Sequence, residues 1–230
     1  MAYLDQSVVG QNEAKRTLAV AFSNYMKWIQ TGDEGLPRDY NTLLIGSSGV
    51  GKTLMARLLS ERASVPFISI QLVGKSSEGY VGQNFQSVLY DLISAQTNDS
   101  APSGVVFFDE FDKLAQGPTG YFGVRIQDEL VGLIEGGSIQ RYGKRIQTHN
   151  LMFIAAGAFQ GSQGASTLYE IVRKSLPEFS GNKIGFTAQR QSAKEPDPYD
   201  VLSRVTPQHL IEYGLKPELI GRIGEIAVLH

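Results

Sequence analysis

Gly46-Ser47-Ser48-Gly49-Val50-Gly51-Lys52-Thr53 follows the apolar run Leu43-Leu44-Ile45 and precedes Leu54-Met55-Ala56-Arg57-Leu58-Leu59, which has helical spacing. This is the G-x-x-x-x-G-K-[ST] pattern in the context that gives it meaning: a buried strand opening through a glycine loop into a helix. The glycines let the loop close around phosphates with main-chain N–H groups turned inward, and the helix N-terminus adds positive potential. Ser48 to Leu54 then line the nucleotide. Lys52 reaches the β- and γ-phosphates, and the Thr53 hydroxyl sits on Mg²⁺. A glycine-rich strand-to-helix turn that binds nothing is the competing interpretation, and the match at every position between the right elements disfavours it.

Outward from this loop the chain alternates strands and helices. A helical pattern carries Ala14, Leu18, Phe22, Tyr25 and Ile29 on one face and stops near Gly32. Thr42 to Ile45 reads as the first core strand, followed by a helix to about Ala63 and a second strand over Pro66 to Ile70. Gly74 to Gly82 reads as a loop, and a helix with Phe85, Val88, Leu89, Leu92 and Ile93 on one side follows it. Val105-Val106-Phe107-Phe108 is a continuous apolar run of strand length, as in a parallel strand covered on both faces. The pattern continues with a loop over Gly117 to Gly123, a helix over Val124 to Glu135, and a hairpin over Ile139 to Thr148 turning at Tyr142-Gly143. Leu151 to Ala156 is a further core strand. A helix near Leu168 to Ser175, a long loop from Pro177 to Pro198, short helices at Pro207 and Pro217 and a last strand within Ile223 to Leu229 complete the chain. The fold class is α/β, a P-loop domain with a mainly parallel sheet flanked by helices. Residues 1–40 form an N-terminal helix and linker, and 41–230 the P-loop core.

Composition narrows the chemistry. In 230 residues, 42% hydrophobic and 19% charged, there is no cysteine, which excludes disulfides and thiolate metal sites. The three histidines, His149, His209 and His230, are too widely spaced for a zinc site. A net charge of −2 makes no electrostatic case for nucleic acid. No segment has membrane-spanning length and the N-terminus lacks a secretory pattern, so the expectation is a soluble, cytoplasmic protein without a membrane partner.

The second chemical signal is Asp109-Glu110 at the end of the Val105 to Phe108 run. Ligands of open α/β sheets bind beyond the carboxyl ends of the strands, which brings both carboxylates to the phosphate loop. Hydrolysis of a nucleotide needs one carboxylate to help hold hydrated Mg²⁺ and another to polarise water. Asp109 suits the metal and Glu110 the water. The alternative is a solvated acidic strand end.

Val8-Val9-Gly10-Gln11, Gly46 to Thr53, Phe108-Asp109-Glu110-Phe111-Asp112-Lys113 and Glu218-Leu219-Ile220-Gly221-Arg222 resemble AAA+ ATPase motifs in their usual order, and in detail those of ClpX-like protein unfoldases. The resemblance runs from about Val8 to Leu229. It implies ATP/ADP with Mg²⁺ as cofactors, with Val8 and Val9 at the adenine. Arg222 becomes an arginine finger that reaches the γ-phosphate of a neighbouring subunit in a homo-hexamer; by itself Arg222 reads as a surface salt bridge. Gly79-Tyr80-Val81-Gly82 matches the loop that grips protein substrates in the ring pore, against the alternative that Tyr80 packs under its own loop. Gly120-Tyr121-Phe122-Gly123 falls where the family has its second pore loop, with a departing local pattern. Ile184-Gly185-Phe186, within the long loop, matches the tripeptide that docks on a ClpP-type peptidase, against the alternative of a surface loop with incidental apolar residues. Basic residues Arg141, Lys144 and Arg145 lie near a family substrate-steering loop without matching it.

The resemblance also leaves gaps: neither the zinc-binding domain, without cysteine, nor the small helical domain after His230 is expected in this chain. An HslU-like unfoldase shares the pore-loop pattern, but Ile184-Gly185-Phe186 argues against it. A non-catalytic nucleotide-binding adaptor or scaffold of a peptidase is the reading from another class, and the presence of Lys52, Glu110 and Arg222 argues against that one.

Overall fold

The computed structural model describes residues 2–32, 38–72, 85–95, 101–115, 120–161, 166–178 and 196–230, with the side chains of 85–88 and 120–122 outside the description. In chain order the elements are α1 (Ala2–Asp5), α2 (Asn12–Thr31), β1 (Thr42–Ile45), α3 (Lys52–Ala63), β2 (Phe67–Gln71), α4 (Phe85–Ser94) and β3 (Gly104–Asp109). A 3-10 turn over Phe111–Leu114 leads to α5 (Gly120–Ile134), then β4 (Ser138–Arg141), β5 (Lys144–Gln147), β6 (Leu151–Gly157) and α6 (Leu168–Ser175). The chain closes with α7 (Pro198–Leu202), α8 (Pro207–Tyr213), α9 (Pro217–Ile220) and β7 (Glu225–Val228).

Five strands form one parallel sheet in the order β2-β3-β6-β1-β7, and β4 and β5 pair separately as an antiparallel hairpin. The sheet is covered on both faces, which explains the unbroken apolar runs. Val106 and Phe108 of β3 and Phe153 of β6 join the core under α4, α5, α6 and α8. Val105 and Phe107 with Met152 and Ile154 join the opposite core under α2 and α3. Alternation along each strand therefore distributes one apolar sequence between two cores.

Tyr25 anchors α2 to the sheet. Its buried hydroxyl accepts from the Gly104 N–H at 2.7 Å and donates toward the Asn150 carbonyl at 2.9 Å, tying the starts of β3 and β6 together. Gly32, at φ 61°, ends α2 in the left-handed conformation and returns its N–H to the Trp28 carbonyl.

One local expectation changes, and two short helices join the elements read from the sequence. The loop expected over Gly117 to Gly123 gives way to helix from Gly120, so the candidate second pore segment, Gly120 to Gly123, is the first turn of α5. Gly123 lies against the Leu114 carbonyl, where a Cβ would have no room, so close packing rather than loop flexibility explains that glycine. Most of the long loop expected from Pro177 to Pro198 lies outside the described residues; at Pro198 itself α7 begins, with Pro198 the first helical residue and the Asp197 side chain accepting from Tyr199 N–H. Finally, α1 precedes the Val8 motif and buries Leu4.

Candidate nucleotide site

The strand order decides where the chemistry converges. β6 lies between β1 and β3, with Ile45 opposite Gly157 and Phe108 opposite Ala155, so the phosphate loop and Asp109-Glu110 leave the same edge of the sheet. The loop begins under tight restraint. Gly46 donates its N–H to Gly157 O at 3.1 Å, and Leu229 donates to Ile45 O at 2.7 Å, pinning the exit of β1 from both sides. A Cβ on Gly46 would stand 2.9 Å from the Leu229 carbonyl oxygen, so only glycine fits. Gly49 at φ 85° and Gly51 at φ 96° then take left-handed conformations that side chains resist. The result is a loop whose tip, Ser47 to Gly49, is exposed above the N-terminus of α3.

Lys52, the first residue of α3, is buried and donates from Nζ to Gly46 O at 2.6 Å and to Ser47 O at 2.7 Å. Burial pushes its ammonium below its ordinary value, and the carboxylates of Asp109 and Asp112 oppose that shift. Lysine and Asp109 are thus electrostatic neighbours, as their sequence patterns predict. Thr53 is half-buried beside Lys52, and Leu54 is exposed. Val8 is buried, its Cγ1 standing 3.8 Å from where a Cβ on Gly51 would be, whereas Val9 is 95% exposed. The two valines therefore differ: Val8 packs near Gly51 of the loop, and Val9 faces solvent.

Asp109 ends β3, and its Oδ1 accepts from the Glu110 N–H at 2.9 Å. Glu110 occupies the left-handed region at φ 55°, breaking the strand and starting the 3-10 turn. A glutamate in that conformation is uncommon, and such residues concentrate at functional sites. Donor types fit magnesium: the Thr53 hydroxyl and Asp109 carboxylate are hard oxygen ligands. Magnesium commonly takes one or two carboxylates together with substrate phosphates.

Arg222 stands elsewhere. Its carbonyl accepts from Asn41 Nδ2 at 3.4 Å, and Gly224 N–H donates to Asn41 O at 2.8 Å, so the residue lies beside the amino end of β1. The phosphate loop starts at the carboxyl end of that strand, about 16 Å away at the usual rise per residue. Its guanidinium donates from Nε to Glu135 Oε1 at 3.0 Å and from Nη2 to the same oxygen. Arg222 and the chain's own phosphate loop are not brought together.

Tyr80 and Val81 lie outside the described residues, as do Ile184, Gly185 and Phe186. Asp112, read within a motif but given no role from the sequence, is a 1% exposed carboxylate whose Oδ2 lacks a hydrogen-bond partner and stands 3.6 Å from Lys113 Nζ. Gln11, likewise read without a role of its own, accepts from His230 N–H at 3.1 Å and donates to His230 O through its carboxamide, joining the Val8 motif to the chain beyond β7. No helix among the described residues is long and apolar enough to cross a membrane.

Residues 38–226 match the family described as AAA domain (Cdc48 subfamily). Among curated proteins, the chain is 34% identical over 243 residues to the ATP-dependent Clp protease ATP-binding subunit ClpX of Treponema denticola, covering 96% of this chain and 56% of the relative. It is 32% identical over 250 residues to the ClpX subunit of Bacteroides fragilis, covering 99% and 58%. With the ClpX subunit of Azotobacter vinelandii the identity is 33% over 255 residues, covering 99% and 56%. The chain thus spans a little over half the length of the curated relatives it matches.

Proposed function

The chain belongs to the AAA domain family, and on that premise we propose that it is the large α/β part of an ATP-driven protein unfoldase and translocase of ClpX type. Nucleotide binding goes with the family; ATP and ADP with Mg²⁺ are the particular ligands proposed. The observation that carries the proposal is the separation of Arg222 from the phosphate loop. Lys52, Thr53, Asp109 and Glu110 gather at one edge of the sheet, while the candidate finger stands at the other end of β1. Such a division suits a site completed by a second subunit, with hydrolysis made dependent on assembly.

In this account Ser48 to Leu54 hold the nucleotide, with the N-terminus of α3 and the loop N–H groups facing phosphate. Val8 and Val9 border the adenine. Lys52 exchanges the carbonyls of Gly46 and Ser47 for phosphate oxygens, and Thr53 and Asp109 hold the metal. Magnesium supplies neutralisation of phosphate charge when bound. Glu110 orients and polarises the attacking water, and Arg222 serves the neighbouring subunit. Tyr80 and Val81 grip substrate protein in the pore of a homo-hexamer, and Ile184, Gly185 and Phe186 dock a ClpP-type peptidase in the cytoplasm.

Steady-state ATPase of the assembled full-length protein tests this, comparing wild type with Arg222→Ala. The expectation is a rate lower by about 10³-fold or more in the variant, with ATP still bound. An unchanged rate contradicts the trans-acting finger. ATP binding with no hydrolysis by the wild type favours the non-catalytic adaptor instead.

A further inference from the structure

The segment that carries Arg222 is docked on one stripe of α5 and its continuation. Asp128 and Glu135 are seven residues apart, two helical turns, and so share a face. Asp128 pairs with Lys216 Nζ, just before α9, and Glu135 pairs with Arg222, just after it. Next to Asp128, Gln127 Oε1 accepts from Lys216 N–H at 2.7 Å while its Nε2 donates to Leu114 O at 3.3 Å. Glu135 is itself restrained. Its N–H returns to Val131 O at 3.0 Å, and its carbonyl accepts from Arg38 Nη1 at 3.2 Å. Gly136, at φ 88°, turns the chain away at a point where a Cβ would stand 2.5 Å from Arg38 Nη1. On the other side Asn41 fixes the Arg222 main chain, and its Oδ1 accepts from Phe153 N–H of the central strand β6 at 2.9 Å.

We propose that Glu135 is a positioning residue for Arg222: one carboxylate oxygen accepting from both Nε and Nη2 sets the direction in which the guanidinium is presented to a neighbouring subunit. The two side chains are 44% and 45% exposed, and exposed ion pairs contribute little to stability. Orientation is what remains for the pair to supply. An unrestrained arginine keeps its charge but samples many rotamers, and a catalytic group misplaced by about 1 Å can cost about 10²-fold in rate. The proposal rests on Arg222 acting in trans.

The test uses full-length hexamers mixed from two kinds of subunit. Glu135→Ala alone should lower kcat about 10- to 100-fold while leaving nucleotide affinity and melting temperature near wild type. Glu135→Gln, which keeps an acceptor oxygen, should retain more activity. Glu135→Ala subunits keep their own Lys52 and Glu110, and Glu110→Gln subunits keep a properly held finger. Mixed rings should therefore exceed the summed activity of either ring alone. Arg222→Ala mixed with Glu110→Gln is the control for the trans reading. If that control complements and Glu135→Ala does not, or if Glu135→Ala rings have wild-type kcat, Glu135 does not position the finger. If the control itself fails to complement, the trans reading of Arg222 falls first and this proposal falls with it.

Discussion

Asp109 accepts the main-chain N–H of its neighbour Glu110 at 2.9 Å, while Glu110 leaves the strand in the left-handed region at φ 55°. Adjacent carboxylates are thereby held in different environments. One Asp109 oxygen is engaged by backbone beside Lys52, and Glu110 sits half-buried where the strand breaks. Separate roles are proposed for them. Glu110→Gln should retain ATP binding and lower turnover by about 10²- to 10⁴-fold, whereas Lys52→Ala should lose both. Calorimetric binding beside steady-state hydrolysis checks this, and normal turnover by Glu110→Gln would remove Glu110 from the reaction.

Gly46 is a packing requirement as well as a loop residue. Gly46→Ala places a methyl 2.9 Å from Leu229 O and 3.0 Å from Leu229 Cβ, with strands on either side unable to part freely. The expected cost is about 1–3 kcal/mol, seen as a lower denaturation midpoint, together with weakened nucleotide binding. Gly49→Ala meets nothing within 4 Å, so its defect should come from φ 85° alone and be smaller.

Much of the fold around this site is legible in the sequence. β1, α3 and α6 fall at the boundaries their patterns predict, because strand and helix periods there coincide with clear turn residues. Phosphate loop and carboxylates were readable as local motifs, and their convergence followed from parallel α/β topology. What escaped notice depends on distant partners. Asn41 meets Arg222 and Phe153, Glu135 meets Arg222, and Gln11 meets His230 at a sequence separation of 219. No periodicity marks a residue whose role is a pair of tertiary hydrogen bonds. The α5 start was missed because glycines and aromatics resemble loop composition, although Gly123 is there for contact. α7 did carry a readable signal, Asp197 followed by Pro198, which the long loop around it obscured.

Lys52 gives a pH prediction with a definite sign. Burial lowers its folded value below the ordinary 10.5, so the unfolded chain binds the proton more tightly. Its contribution is a penalty, in full below the lowered folded value and relieved as pH rises from there to 10.5. Lys52→Met should therefore stabilise the fold at neutral pH and flatten the alkaline rise in stability, while abolishing nucleotide binding. Denaturant midpoints at neutral and alkaline pH, compared with wild type, read the effect. A less stable Lys52→Met at neutral pH would mean that the bonds to Gly46 O and Ser47 O outweigh burial.

Tyr25 tests how firmly the sheet is fixed at the end remote from the loop. Tyr25→Phe leaves the buried Gly104 N–H without its hydroxyl acceptor, expected to cost about 1–3 kcal/mol. Melting should fall while nucleotide affinity, set at the other edge of the sheet, stays near wild type. A matching loss of affinity would show that the two edges are coupled.

The most direct test of the account is ATP-driven unfolding of a stable fluorescent protein bearing an unstructured tag, measured with the full-length hexamer. Fluorescence should decay only with hydrolysable ATP. Decay should be lost in Glu110→Gln and strongly slowed in Tyr80→Ala, with ATPase largely kept in the latter. Brisk ATP hydrolysis with no loss of fluorescence across a range of tagged substrates would contradict the central claim that this chain converts nucleotide turnover into pulling on polypeptide.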